Sequence, residues 1–397
     1  MGHSIRFILL LLLVVSAFIF AEIVPLEIRS VAYAVSLSIK EVLVFLLPFI
    51  VFSVVFHSTS LMRGGSTIKT SALLLAMVFL SNSTSVGIAH FLASYVIDVV
   101  DDKVISTTEN ANTLVPAYTT FSLPSIVSCA KALIMGFVCG AALPKIFGDS
   151  AVKVSKKLYG TSVFLLEKAF APLLPIFIVG LTFKMRSDGA LDMFVDNYEV
   201  MLFVFVPAVL HVLFLFLVGC GGSVRLTAGA LKNMFPAAVT GFATMSSLLA
   251  MPVTLAAVKK STNNSPMADI VVPGSVNIHL VGDCFFTVIL MMFLASGFGT
   301  LESVSVSDYA HFLMYVVLMK FADAAIAGTG LLLMFPILEE YLHFTPVMLS
   351  LSTTIYILLD PVLAVLNVLG NGAFSILFVK VHKFLFGDEL ESSEESK

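Results

Sequence analysis

Residues 232–260 read KNMFPAAVTGFATMSSLLAMPVTLAAVKK, and their length decides how the chain meets a membrane. Only 26 residues, 233 to 258, separate Lys232 from Lys259. Lysine at both ends places both ends on the same, inner side. Thr244, Ser246 and Ser247 interrupt the middle. Each arm of about 12 residues extends about 18 Å at 1.5 Å per residue, short of the ~30 Å hydrocarbon core. The stretch predicts a re-entrant helical hairpin that enters from the cytoplasm and turns near mid-membrane. Backbone that leaves the helix at that depth must be buried in protein or line a wet cavity. The alternative is a kinked spanning helix, which would reverse the sidedness of the following loops.

Across the chain, 58% of the 397 residues are hydrophobic and 12% charged, with a mean hydropathy of +1.03. Soluble domains average about 45–50% apolar and about 25% charged residues, so lipid is the solvent. The net charge of -4 is dispersed, and no basic stripe points to nucleic acid. Apolar stretches of spanning length cover 5–24, 40–58, 70–97, 125–145, 162–184, 197–220, 268–298 and 346–382, with the second extended toward 31–40. The basic, amphipathic 149–161 segment is expected along the inner interface. The first stretch resembles a signal peptide, but Ile19 and Ala21 make a poor cleavage site, which favours a retained helix. Cys129, Cys139, Cys220 and Cys284 stand singly in apolar runs and read as buried thiols.

With the N-terminus inside, thirteen Lys and Arg fall in inner loops and four (Arg29, Lys103, Lys184, Arg186) in outer ones. Both termini are then cytoplasmic, and a cell (inner) membrane is the expected location. Residues 309–345 repeat the hairpin pattern from the outer side, around FADAAIAGTG. Each hairpin precedes a span, so hairpin plus helix occurs twice in opposite orientation. Inverted repeats with broken helices build mid-membrane sites in secondary transporters. The fold expected is an all-α polytopic membrane protein of eight transmembrane helices and two re-entrant hairpins.

The last span contains LLDPVLAVLNVLGNGAF (358–374). Asp360, Asn367 and Asn371 lie at i, i+7 and i+11, within about 20° of one line, and Leu363 and Ala364 share that face. A central Asp facing lipid costs about 2.5–3.5 kcal/mol, so this face meets protein or a cavity. A polar packing seam is the structural alternative. Pro361 removes one backbone donor and frees a carbonyl a turn earlier. In the seventh span, Pro273, Gly274 and Gly282 predict a break, with Ser275, Asn277, His279 and Asp283 around it as candidates for cation or proton coupling. His279 and Asp283 are i, i+4 and can pair if that turn is helical. Lys320 and Asp323 (i, i+3) lie near the second hairpin's tip, as an ion pair or as an ammonium standing where a metal ion would. No H-E-x-x-H, G-x-S-x-G or His/Cys metal cluster appears. No enzyme, cofactor or tightly bound metal is expected.

These segments resemble the dicarboxylate/amino acid:cation symporter family, the glutamate-transporter homologues, over most of the chain. GFATMSSLLAMPVTLAAVKK is similar to that family's serine-rich first hairpin, and IVVPGSVNIHLVGD to its broken seventh helix. AAIAGTGLLLMFPIL resembles the second hairpin's glycine-rich tip, and LLDPVLAVLNVLGNGAFSILFVK the eighth helix. The resemblance implies a homotrimer whose mobile core moves like an elevator against a rigid scaffold. Residues 1–220 would be mainly scaffold, with the third and sixth helices joining the core. Residues 221–385 would be the transport core and 386–397 a disordered acidic tail. It also implies that Ser246 and Ser247, the second tip from Ile326 through Gly328 to Gly330, and Asp360 and Asn367 surround the solute. Asp360 would meet its amino group and Asn367 its carboxylate.

Departures from the family pattern shape the expected substrate. Leu363 stands where acidic-substrate branches carry arginine, so a second carboxylate lacks its bidentate partner. Val281 replaces the family's ion-binding Asp, the acid stands instead at Asp283, and Asn371 replaces a second ion-binding Asp. The expected function is therefore symport of a small amino-bearing solute, a neutral amino acid first. Its coupling to a cation, Na+ or H+, would be altered and would use His279, Asp283, Lys320, Asp323, Asn367 or Asn371. A dicarboxylate or cationic amino acid is the alternative within the class. An ion channel or a non-transporting homologue is the alternative outside it. Membrane lipid and a small-molecule solute are the expected partners.

Overall fold

The computed structural model describes residues 12–13, 16–60, 65–101, 114–118, 123, 127, 129–165, 168, 172–187, 199–322 and 329–387. Every regular element among them is helical. The chain runs through α1 (Leu26–Ser60), α2 (Gly65–Asp101), α3 (Cys129–Phe147), α4 (Asp149–Phe164), α5 (Leu174–Ser187) and α6 (Glu199–Gly219). It continues through α7 (Val224–Thr244), α8 (Ser247–Ser261), α9 (Ala268–Ser275), α10 (Val281–Gly297) and α11 (Val306–Met319). The last three are α12 (Thr329–Leu332), α13 (Phe335–Leu342) and α14 (Pro346–Phe386).

Among the described residues, three helices are long and apolar enough to cross a membrane: Lys69–Tyr95, Val200–Gly219 and Pro346–Phe386. Phe45–His57, Ile134–Phe147, Pro175–Lys184 and Val281–Gly297 are shorter apolar helices. On α6, Leu202, Val206, Val209, Leu210 and Leu213 are exposed at spacings that put them on one face. An uncovered stripe of that kind suits contact with lipid rather than water. On α10, by contrast, nearly every side chain is buried. This 17-residue helix is the axis of the helices around it: α2, α6 and α14 all pack along it. Around α14 lie α5, α6, α7, α8 and α9 as well as α10. A second group forms where α1 packs on α3, α4 and α5.

The α1–α5 contact depends on Gly180. A Cβ built there would collide with the Ala32 carbonyl and the Ser36 hydroxyl, and that hydroxyl also donates to the Ile176 carbonyl at 3.3 Å. Gly180→Ala must therefore separate two backbones. Overpacking of this kind costs about 1–3 kcal/mol, and a matching fall in thermal midpoint of the purified protein is the expected result.

Residues 224–261 form the first hairpin. Its arms α7 and α8 pack on each other and are joined by only two residues. Met245 is left-handed at φ 51° and returns its N–H to the Gly241 carbonyl. Ser246 is extended, and its hydroxyl caps α8 by accepting from Leu249 N at 3.3 Å. At the open end Asn233 donates to the Ser261 hydroxyl at 3.0 Å. The incoming arm differs from the expectation. It has 21 residues rather than about 12, because Ser223 caps a helix that begins two turns before Lys232 and accepts from Leu226 N. Lys232 marks where the apolar part of the arm begins, not where the helix begins. The outgoing arm has 15 residues.

In the second hairpin α11 packs on α13. Ser305 starts it, accepting from Asp308 N at 3.1 Å. A 3-10 turn at Lys320–Ala322 ends the incoming arm, and left-handed His343 caps α13. Thr345 then caps α14, with Pro346 in its first turn. Asp323, Ile326 and Gly328 lie outside the described residues.

Candidate functional site

The site is built where α14 passes the gap between α9 and α10. The helix that starts at Ala268 stops at Ser275 and resumes at Val281, as Pro273, Gly274 and Gly282 predicted. Residues 276–280 leave backbone groups without helical partners, and neighbouring helices supply some of them. Asn82 on α2, fully buried, donates to the Ile278 carbonyl at 2.8 Å. Its neighbour Ser81 shares a hydrogen bond with His279 Nε2 at 2.8 Å. The His279 ring stacks on Phe374 with centroids 4.4 Å apart.

From the other side, Asn367 closes the start of α10. Its Oδ1 accepts from Gly282 N at 2.9 Å and from Asp283 N at 3.4 Å, and its Nδ2 donates to Asp283 Oδ2 at 3.0 Å. The first N–H groups of a helix have no partner within it, and here a carboxamide from a different helix satisfies two of them. Tyr356 donates to Asp283 Oδ1 at 3.2 Å, so both Asp283 oxygens are engaged. Gly282 is what allows this approach: a Cβ there would lie 2.9 Å from the Leu363 carbonyl oxygen and 3.1 Å from Asn367 Oδ1.

The α14 face predicted to be polar is buried along its length. Asp360 is 9% exposed, Leu363 0%, Ala364 4%, Asn367 6% and Asn371 1%. Asn371 Nδ2 donates to Ser275 Oγ at 2.8 Å, and Ser275 donates onward to the Val271 carbonyl at 2.7 Å. Asp360 and Asn367 therefore share a face with an apolar position between them, and Asn371 and Ser275 meet one turn further on. Near α10's first turns, buried Lys320 donates to Thr287 Oγ1 at 3.5 Å, so the ammonium sits against the helix that carries Asp283.

Other predicted residues fall as follows. His279 and Asp283 do not pair, because the intervening backbone is not helical at His279: one turns to Ser81, the other to Asn367 and Tyr356. Ser246 is a helix cap, Ser247 is buried beside it, and Gly330 is buried in α12. Tyr356, Ser81 and Asn82 were missed. The run SNSTS at 81–85 inside an apolar span was the available signal for the last two, and Tyr356 sits one turn before Asp360.

Five buried polar atoms around the break have no hydrogen-bond partner among the described residues: Asn82 Oδ1, Asn277 Oδ1, Asn371 Oδ1, Ser375 Oγ and His279 Nδ1. Most are oxygen donors of the kind that hold hard cations, and none is a carboxylate. Among the described residues there is no group of three or more His, Cys, Asp or Glu that could hold a metal ion.

A comparison with curated proteins finds no match. The model of the sodium:dicarboxylate symporter family matches residues 7–381, a range that takes in both hairpins, the split helix and the polar face of α14. The chain belongs to the sodium:dicarboxylate symporter family.

Proposed function

We propose that this protein is a secondary active symporter of a small amino-bearing solute, a neutral amino acid, with cation coupling altered from sodium toward protons. The observation that carries the reading is the buried face of α14, where Asp360 is followed one turn on by Leu363 with no exposed surface. An ammonium finds its counter-charge at Asp360. A second solute carboxylate at Leu363 would find no guanidinium, and desolvating an unpaired charge is costly. Asp283 accepts from Tyr356 and Asn367, which argues against a doubly charged cationic solute. Ser247, Ala364 and Gly330, with Ile326 and Gly328, complete the proposed solute chamber.

The altered coupling rests on composition of the break. Sodium needs oxygen ligands with net negative charge nearby; here the unpartnered atoms are carboxamide and hydroxyl oxygens plus an imidazole nitrogen, and Lys320 adds a buried positive charge. Proton transfer through His279, Asp283 or Asp323 is the coupling we favour. We further propose a homotrimer in the inner membrane, with α1 and α3 to α5 as scaffold and α2 and α6 to α14 as a core that moves like an elevator. Packing of α2 and α6 on α10 and α14 supports that division.

Purified protein in liposomes tests the reading. Alanine or serine uptake is expected to follow an inward proton gradient; sodium-driven uptake indifferent to pH would contradict the coupling. In a thermal-shift screen, a ligand raises the midpoint by binding the folded form. Alanine or serine should do so, whereas strong stabilisation by malate or glutamate alone would remove the Leu363 argument.

A further inference from the structure

A cavity of about 300 Å³ lies between the loop joining α8 to α9, the end of α6 and the last turns of α14. It is separate from the solute site: twenty residues of α14 between Asp360 and Lys380 span about 30 Å. Among the described residues, the charged groups that line it are all basic. Lys380 and Lys383 stand one turn apart with His382 between them, and His382 Nε2 shares a hydrogen bond with Thr70 at 3.0 Å, tying α14 to α2.

The opposite wall is polar loop, including Asn263 and Ser265. Asn263 and Asn264 both have positive φ, 52° and 60°, which bends the loop sharply after α8. Asp269, in the first turn of α9 just after the loop, is held by Lys259 at 2.7 Å and does not line the cavity. Ile376 and Val379 make one side apolar. The Lys380 ammonium rests against Gly221, where a Cβ would come within 2.6 Å of Nζ. A lysine in the last turn of a helix is favoured by the helix dipole alone. That accounts for Lys383 but not for Lys380, which lies before the last turn.

We propose that this cavity binds an anionic phosphate ester, its phosphate between Lys380 and Lys383 and its organic part against Ile376 and Val379. Two ammonium groups supply charge-assisted hydrogen bonds to phosphate oxygens. The volume is at the lower end of the ~300–1,000 Å³ typical of small-molecule sites. Basic pockets between helices at the membrane surface hold lipid headgroups by the same chemistry. The phosphate can come from an anionic lipid or from a soluble ester.

The test uses the full chain in neutral detergent, titrated with dioctanoyl phosphatidylglycerol, dioctanoyl phosphatidylcholine and inorganic pyrophosphate, and read by thermal shift and native mass spectrometry. Phosphatidylglycerol is expected to bind and raise the melting midpoint, with phosphatidylcholine inactive. Lys380→Gln/Lys383→Gln should weaken binding at least fivefold, and Lys380→Arg/Lys383→Arg should retain it. Lys153→Gln/Lys157→Gln on α4 removes the same charge elsewhere and should change affinity less than twofold. Pyrophosphate binding as tightly as phosphatidylglycerol assigns the site to soluble phosphates, and phosphatidylglycerol alone assigns it to lipid headgroups. Absence of both, equal binding of phosphatidylcholine, or an equal loss in the α4 variant overturns the proposal.

Discussion

Asp360→Asn is expected to lower solute affinity about 10- to 100-fold, the loss of about 1.5–3 kcal/mol that a hydrogen bond to a charged group contributes. Uptake should fall to background at solute concentrations that saturate the native protein. The substitution keeps size and shape, and replacing a buried carboxylate by an amide relieves desolvation. The ligand-induced rise in melting midpoint should shrink with the affinity, and any fall in the solute-free midpoint should be smaller than that of Asp283→Asn. Asp283→Asn provides the contrast. Asp283 receives Tyr356 and Asn367, so an amide there brings a donor to face a donor, and the ligand-free midpoint itself should drop. If Asp360→Asn destabilised the empty protein as much as Asp283→Asn and left affinity unchanged, Asp360 would be a packing residue and the proposed anchor would be lost.

The two carboxylates also show what the sequence carries and what it does not. Periodicity along one helix placed Asp360, Asn367 and Asn371 on a buried face, because helical geometry relates those residues without reference to anything else. The interruption after Ser275 was legible for a similar reason: Pro273, Gly274 and Gly282 act on their own backbone. The first hairpin was readable from the spacing of Lys232 and Lys259. The length of its incoming arm was not, because a capping serine outside the apolar segment sets it.

What could not be read were the partners across helices. Asn367 as the group closing α10 needs Gly282 and Leu363 to be in contact, residues 81 apart in the chain. Ser81 and Asn82 sit in SNSTS, where Thr84 and Ser85 bond back to the Ser81 carbonyl. Local sequence gives no means of telling a hydroxyl that serves its own helix from one that serves another. His279 shows the same limit. Its i, i+4 relation to Asp283 has meaning only on a helix, and the break that the sequence itself predicted takes that relation away.

Asn367→Ala is expected to have the largest effect on stability, about 3–5 kcal/mol, because it removes at once an acceptor for a buried N–H and a donor to a buried carboxylate. It leaves the Gly282 N–H unsatisfied, at about 1–3 kcal/mol, and takes from the Asp283 carboxylate one of its two donors. Thermal or denaturant unfolding of the solute-free protein reads this directly. Asn367→Asp sharpens the test: it restores an acceptor for the two N–H groups but sets a second carboxylate against Asp283 in place of a donor, so it should rescue little. A residue that only held solute would behave otherwise: the empty protein would melt normally and the ligand-induced shift would shrink. Gly282→Ala approaches the same junction from the other side, driving a methyl toward the Leu363 carbonyl. Both substitutions should loosen α10 from α14 and carry Asp283 away from the face that holds Asp360. Uptake should then fail in both through lost positioning, with Asp360 itself intact.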